Sequence, residues 1–176
     1  VDDLRLLTRA EAGQLPLERA RIPAAELARH AVESFAPLAA DANVQLVTDW
    51  PDDLPLVEVD VDRMQQVFGN LLTNALRHTP DQGTITVRVR RTGDVVRYQV
   101  SNTGKGLTPE EAIHVFDPFW RAEEARARDS GGSGLGLSIA RQMLLLHGGR
   151  IWAVSAPHRA IFAFDLPPKL SHESTG

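Results

Sequence analysis

Two asparagines lie in a segment that is predicted to be helical, from about Asp62 to His78. Asn70 and Asn74 are four residues apart, so their amides lie one above the other on the same helix face. Asparagine is a poor residue for the middle of a helix, and its amide oxygen is a hard ligand that suits Mg²⁺. Two solvated residues on an amphipathic helix would show the same spacing, so the pair alone leaves both interpretations open.

A glycine-rich segment at Gly132-Ser133-Gly134-Leu135-Gly136-Leu137 begins another predicted helix, at about 135–147. The free N–H groups and the positive dipole end of such a helix suit a phosphate chain. The segment lacks the Gly-Lys-Ser/Thr ending of a P-loop and the glycine spacing of a dinucleotide-binding fold. A flexible linker before the helix is the alternative.

Two further segments between these helices could contact a ligand. The run Ser101-Asn102-Thr103-Gly104-Lys105-Gly106-Leu107 follows a predicted strand, and its glycines permit a sharp turn close to a ligand, although such turns also end many hairpins. The run Phe116-Asp117-Pro118-Phe119-Trp120-Arg121 holds three aromatic residues. It could anchor a hinged lid or simply belong to the core.

The composition restricts the class of protein. The 176 residues suffice for one domain with an extension, and the net charge of -4 gives no reason to expect nucleic acid as a partner. Absence of cysteine excludes disulfides and thiolate chemistry. No apolar run reaches the roughly 18 residues of a membrane segment. Since the chain lacks an initiator methionine, we expect it to be cut from a longer protein whose membrane anchor, if any, lies upstream.

The elements that must position these residues follow from hydrophobic periodicity and turn signals. Helices are predicted at about 1–12, 24–42 (with a disturbance at Pro37), 62–78 and 135–147, with a short one capped by Thr108. Strands are predicted at 15–22, 44–47, 56–59, 84–91, 95–101, 150–155 and 161–166, and a mobile loop at 121–133. This order predicts an α+β fold, a two-layer α/β sandwich with helices packed on one face of a mixed, mostly antiparallel sheet.

Four segments, in this order, resemble the N, G1, F and G2 boxes of histidine kinases: Asn70–Pro80, Asn102–Leu107, Phe116–Arg121 and Gly132–Leu137. The resemblance extends to Asp60–Val67, to Phe162–Pro167 and, at the start, to Leu7–Leu17. It identifies the chain as similar to the catalytic domains of the gyrase, Hsp90, histidine kinase and MutL superfamily. It implies a Bergerat-type ATP-binding domain at 14–168, the end of a dimerisation hairpin at 1–13 and a tail at 169–176.

The resemblance also implies roles for individual residues. Asn74 would bind Mg²⁺, with Asn70 and Arg77 beside it in catalysis. His78 would contact nucleotide, although a helix-end histidine stabilised by the dipole is the alternative. The other implied nucleotide-binding residues are Asn102, Gly104, Lys105, Gly106, Leu107, Phe119, Arg121, Gly132, Ser133, Gly134, Leu135, Gly136 and Leu137, with Arg126 and Arg128 as further phosphate contacts.

The implied reaction is transfer of the ATP γ-phosphoryl group to a histidine on a dimerisation hairpin, with ATP and Mg²⁺ as cofactors. ATP-hydrolysing relatives carry a glutamate base four residues before the magnesium-binding asparagine, where this chain has Asn70. Because an amide cannot take a proton from water, phosphotransfer is favoured over hydrolysis. No histidine here matches the acceptor motif, so the expected partners are a hairpin of the parent protein and a response-regulator receiver domain, in the cytoplasm.

Two departures from the family pattern lie at the adenine end. Asn102 replaces the usual aspartate, and Arg159-Ala160 replaces the usual Gly-Thr. An amide oxygen still accepts a hydrogen bond from the adenine amino group, but without charge assistance, which lowers affinity by about 1 kcal/mol. A degenerate nucleotide-binding module that acts through protein contacts is therefore the alternative to an active kinase domain.

Overall fold

The computed structural model describes residues 2–121 and 134–168, and the predicted loop at 121–133 lies outside them except for Arg121. The predicted tail at 169–176 also lies outside them. The described helices are α1 (Asp2–Glu11), α2 (Ala24–Asp41), α3 (Val61–His78), α4 (Pro109–His114) and α5 (Gly136–Leu146). The described strands are β1 (Arg19–Pro23), β2 (Gln45–Asp49), β3 (Leu56–Asp60), β4 (Thr84–Thr92), β5 (Val95–Thr103), β6 (Arg150–Ala156) and β7 (Arg159–Leu166).

Five strands form the main sheet in the order β2-β4-β5-β7-β6. Only β2 and β4 pair in parallel among these strands, and the other three pairings are antiparallel. A separate antiparallel pair joins β1 to β3. The predicted α+β class, with its mixed and mostly antiparallel sheet covered by helices on one face, is confirmed.

Alternation along β4 and β5 explains why one face of the sheet carries the helices. Val87 and Val89 are buried, whereas Arg88 and Arg90 between and after them are exposed, as expected for a half-buried strand. On β5 the buried Tyr98 stacks on Phe164 of β7, with ring centroids 4.9 Å apart. The aromatic ring of Phe68 from α3 meets both rings edge-on, so an aromatic cluster joins this helix to the centre of the sheet.

The N-terminal part of the chain differs from the prediction. The strand predicted at 15–22 begins only at Arg19. Pro16 has no N–H for a ladder, and the Glu18 N–H donates to the Asp60 carboxylate instead of to a neighbouring strand. Leu15 is nevertheless buried in the core. Helix α1 lies against α5, and its Leu7 and Ala10 belong to the same hydrophobic cluster as the sheet. Among the described residues, no helix has the length and apolar character needed to span a membrane.

Candidate functional site

Helix α3 presents the two asparagines next to the beginning of α5. Asp60 caps α3, accepting a hydrogen bond from the Arg63 N–H at 3.2 Å. Asn70 is half-buried, and its Nδ2 donates to the carbonyl oxygen of Gly136 at 2.8 Å. Asn74 is half-buried one turn further along the same face. The pair that the sequence singled out therefore lies at the glycine-rich end of α5.

The loop after β5 presses its glycines against two neighbouring segments. Gly104 has φ +147°, and a Cβ there would lie 2.8 Å from the carbonyl oxygen of His78. Gly106 has φ +78°, and a Cβ there would lie 2.5 Å from the carbonyl oxygen of Ala156. Both the backbone conformation and the close approach therefore require glycine at these positions. The loop after β5 therefore packs against two places, the end of α3 and the end of β6 before the turn to β7.

That turn between β6 and β7 supports the loop through contacts that the sequence analysis missed. The Gly104 N–H donates to the carbonyl oxygen of His158 at 3.2 Å, and the Ser155 hydroxyl donates to the carbonyl oxygen of Leu107 at 2.7 Å. His158 adopts a positive φ of 57°, which non-glycine residues adopt rarely. No local sequence signal marks these contacts, because they join segments about 50 residues apart.

Asn102, near the end of β5 just before this loop, is a buried polar residue with 2% of its surface exposed. Its Nδ2 donates to the carbonyl oxygen of Thr103 at 3.1 Å, but its Oδ1 is buried without a hydrogen-bond partner. Asn102 pairs with Ala160 across β5 and β7, so both departures at the predicted adenine end are cross-strand neighbours. The alanine methyl group cannot donate to Oδ1, which leaves this acceptor for another donor.

The aromatic segment has one residue in the core, as one of the two predictions had it, while its role as a lid anchor stays a prediction. Phe116 is buried and packs edge-on against Phe162, with ring centroids 6.0 Å apart. Phe119 is 60% exposed and has a positive φ of 64°. Its N–H donates to the carbonyl oxygen of Gly134 at 2.9 Å. The segment therefore has one residue in the core and another beside the glycine-rich end of α5.

The surroundings of His78 at the end of α3 favour its neutral form. Desolvation and, to a smaller extent, the positive charge of Arg77 lower the pKa of His78, while Glu111 opposes this change. Part of the His78 side chain remains exposed. Arg77 and Lys105 are also exposed. Among the described residues, no group of three or more histidine or acidic side chains could hold a metal ion.

Most of the predicted site residues thus lie along one series of neighbours. At one end Phe119 contacts Gly134, and Gly136 two residues later contacts Asn70 on α3. At the other end of α3, His78 lies against Gly104, which is close to Asn102. The Leu135 side chain is buried, and those of Leu107 and Leu137 pack against the core. Arg121 is half-buried at the end of the described segment. Gly132, Ser133, Arg126 and Arg128 lie outside the described residues.

Comparisons with known proteins agree with this arrangement. The family model described as histidine kinase-, DNA gyrase B-, and HSP90-like ATPase matches residues 59–170. The sensor histidine kinase MtrB of Mycobacterium leprae is 34% identical over 99% of this chain. The chain spans only 31% of the length of that relative.

Solved structures show the same likeness. The catalytic domain of the histidine kinase ThkA, in a nucleotide-free form, is 29% identical with a TM-score of 0.76, covering 86% of this chain and 96% of that one. ThkA in complex with the response regulator protein TrrA is 26% identical with a TM-score of 0.75, covering 93% of this chain and 46% of that one.

The match covers the segment that contains both asparagines, the glycine loop and the start of α5. The relatives are named sensor histidine kinases, which supports a catalytic role and gives no support to the degenerate alternative. The chain therefore belongs to the family of histidine kinase-, DNA gyrase B- and HSP90-like ATPases, as an ATP-binding catalytic domain of the sensor histidine kinase type.

Proposed function

We propose that this domain binds ATP with Mg²⁺ and transfers the γ-phosphoryl group to a histidine on a dimerisation hairpin. The observation that carries the proposal is the contact between Asn70 and Gly136. It places the Asn70–Asn74 face of α3 at the N-terminal end of α5. A hard amide ligand and the N-terminal end of α5 then lie close together, an arrangement that suits a magnesium-bound phosphate chain.

The adenine end of the proposed site rests on Asn102. Its buried Oδ1 has no partner, and leaving such an acceptor unpaired costs about 1–3 kcal/mol. An exocyclic amino group of the base would donate to this oxygen and remove that cost. Gly104 and Gly106 carry no Cβ, so the backbone of the adjacent loop can approach a ligand closely at these two positions.

The phosphate end rests on Asn74 and Arg77. Nδ2 of Asn70 donates to the Gly136 carbonyl, and we assign Mg²⁺ to the amide oxygen of Asn74, as the resemblance to the family implies. When bound, Mg²⁺ neutralises phosphate charge and orients the terminal phosphate. The exposed guanidinium of Arg77 would donate charge-assisted hydrogen bonds to phosphate oxygens.

In the proposed reaction an imidazole nitrogen of the hairpin attacks the γ-phosphorus. A nitrogen–phosphorus bond forms, the bond between the γ-phosphorus and the bridging oxygen breaks, and ADP leaves. The domain contributes by positioning and by charge stabilisation, which supply most of the catalysis in phosphoryl transfer. Since the amide of Asn70 cannot act as a general base toward water, competing hydrolysis is disfavoured.

The proposed protein partners are the hairpin of the parent protein and a response-regulator receiver domain, in the cytoplasm. The complex between ThkA and its response regulator supports the second partner by analogy.

Calorimetric titration with Mg²⁺ and ATP tests the binding site. We expect saturable binding below millimolar concentration, and about a tenfold or greater loss of affinity for Asn74→Ala, which removes the oxygen ligand but keeps a good helix former. Thr73→Ala, at an exposed neighbouring position on α3, is the matched control and should bind as the unchanged protein does. Equal affinity of the two variants would overturn the assignment of Asn74.

Phosphoryl transfer is tested by adding a separate dimerisation hairpin that carries an acceptor histidine, together with γ-labelled ATP. We expect label on the hairpin in an acid-labile, alkali-stable form. Release of labelled inorganic phosphate with no label on the hairpin would instead indicate an ATPase.

A further inference from the structure

A buried hydrogen bond joins the start of α3 to the end of α5. Asp60 and His147 are 8% and 2% exposed. The Asp60 N–H donates to Nε2 of His147 at 3.0 Å, and Nδ1 of His147 lies 2.6 Å from the carbonyl oxygen of Met143. Both contacts are satisfied only when Nδ1 carries the proton and Nε2 accepts. His147 is therefore a neutral side chain with both ring nitrogens engaged.

The same pair holds the segment that follows α1. One carboxylate oxygen of Asp60 caps α3, and the other accepts the Glu18 N–H at 3.0 Å. The next residue, Arg19, donates from its guanidinium to the carbonyl oxygen of Leu146 at 3.1 Å. Three chain segments that are far apart in the sequence thus meet at Asp60 and His147. We call these two residues, together with their hydrogen bonds, the rear clasp.

The contact between Asn70 and Gly136 is a second connection between the same two helices. Asp60 precedes α3 and Asn70 lies ten residues later, while Gly136 begins α5 and His147 follows its end. The helices therefore run antiparallel and are joined at two points about 15 Å apart, given a rise of 1.5 Å per residue. One connection lies at the proposed nucleotide site, and the other at the segment that leads from α1.

We propose that Asp60 and His147 are positioning residues that couple nucleotide binding to the position of residues 18–19, in the segment that follows α1. The inference rests on the proposed function. Nucleotide that contacts the two helices near Asn70 and Gly136 favours one arrangement of α3 relative to α5. In the structure the Asn70–Gly136 contact and the rear clasp are formed in one arrangement of the helices, and both depend on the relative position of the helix ends. Bound nucleotide then holds residues 18–19 in place. Because such coupling is reciprocal, the hydrogen bonds of residues 18–19 in turn strengthen nucleotide binding.

The test changes the acceptor Nε2 of His147. Substitution by asparagine or by glutamine separates the contribution of this hydrogen bond from the contribution of side-chain packing. His147→Asn can still donate to the Met143 carbonyl but is too short to accept from the Asp60 N–H. His147→Gln places an amide oxygen at about the reach of Nε2. Tyr98→Phe is the matched control, since it also removes one buried hydrogen bond, to the Ala24 carbonyl at 2.9 Å, but leaves the hydrogen bonds of Asp60 and His147 unchanged.

The measurement is amide hydrogen exchange of Glu18 and Asp60 by NMR, with and without Mg²⁺ and a non-hydrolysable ATP analogue, at a temperature where all variants are folded. In the unchanged protein we expect the nucleotide to slow exchange at both amides by about fivefold or more. His147→Asn should lose this response and bind the analogue more weakly by a similar factor, because coupling is reciprocal. His147→Gln and Tyr98→Phe should retain the response.

The outcomes distinguish this inference from the proposed function. Nucleotide binding without slower exchange at Glu18, or an unchanged response in His147→Asn, would overturn the coupling and leave the proposed function intact. An equal loss in Tyr98→Phe would also overturn it, by attributing the effect to general destabilisation. Failure of the unchanged protein to bind the analogue would overturn the proposed function and the coupling together.

Discussion

At the scale of single residues, two asparagines use the same amide group in different ways. Asn70 donates to the backbone of α5 and so joins two helices. Asn102 donates only to the neighbouring Thr103 carbonyl, and its buried oxygen has no partner. A buried unpaired acceptor lowers the stability of the free protein, which supports the proposed role of Asn102 in ligand binding.

We therefore expect Asn102→Leu to separate stability from binding. Removing the unpaired oxygen offsets the loss of one hydrogen bond, so the free energy of unfolding should stay within about 1 kcal/mol of its original value or rise. ATP affinity should fall by about tenfold, because the base loses its acceptor. Urea denaturation and calorimetric titration measure the two quantities. A large loss of stability with unchanged affinity would show that Asn102 is structural.

At the scale of elements, helix α4 shows how local chemistry can define a short helix. Thr108 Oγ1 accepts the Glu111 N–H at 3.1 Å, and the Glu111 carboxylate accepts the Thr108 N–H at 3.4 Å. With Pro109 in its first turn, α4 has the capping box that was predicted. It has no buried residue of its own, so capping contributes a large share of its stability.

Thr108→Ala should consequently destabilise α4 by about 1 kcal/mol, the usual cost of losing such a cap. Faster amide exchange across residues 109–114 would report this loss even if the global unfolding transition moved little. Glu110→Ala is the matched control, since it lies in the same turn outside the capping box and should leave exchange nearly unchanged. Identical exchange in both variants would contradict the role of the cap.

Helix α2 shows the opposite case, in which tertiary packing outweighs a local signal. Pro37 predicted a disturbance, yet α2 continues from Ala24 to Asp41. Pro37 itself is exposed, while Phe35 and Ala39 on either side are buried. Burial of the apolar face on both sides of the proline offsets the backbone hydrogen bond that it removes.

At the scale of the whole molecule, helix α1 is packed into the catalytic body. The assignment of residues 1–13 to a dimerisation hairpin remains a prediction. Leu7 is 3% exposed and belongs to the same core cluster as the sheet, so α1 should unfold together with the rest of the domain.

Leu7→Ala tests this expectation. If α1 belongs to the cooperative unit, the substitution should lower the free energy of unfolding by about 2–5 kcal/mol, as for other buried leucines. Leu4→Ala on the same helix, where the leucine is 47% exposed, should have a much smaller effect. Thermal and urea unfolding measure both. A stability equal to that of the unchanged protein in Leu7→Ala would mean that α1 unfolds separately.

The sequence by itself determined the elements whose signals are local. The alternation in β4 and β5, the apolar face of α3 and the capping box of α4 each act over a few residues, so periodicity and side-chain chemistry suffice to predict them. The spacing of Asn70 and Asn74 and the run from Gly132 to Leu137 were compatible with a phosphate-binding site, and the resemblance to the histidine kinase boxes made this site a prediction.

Only the tertiary structure decided which of these segments meet. The contact of Asn70 with Gly136, the unpaired oxygen of Asn102 opposite Ala160, and the rear clasp join residues that lie 58 to 87 positions apart in the sequence. Leu15 is buried outside any strand for the same reason. These contacts depend on how the sheet orders its strands and how α5 lies against α3, and no local propensity encodes that arrangement, because it results from burying the apolar faces of all the elements at once.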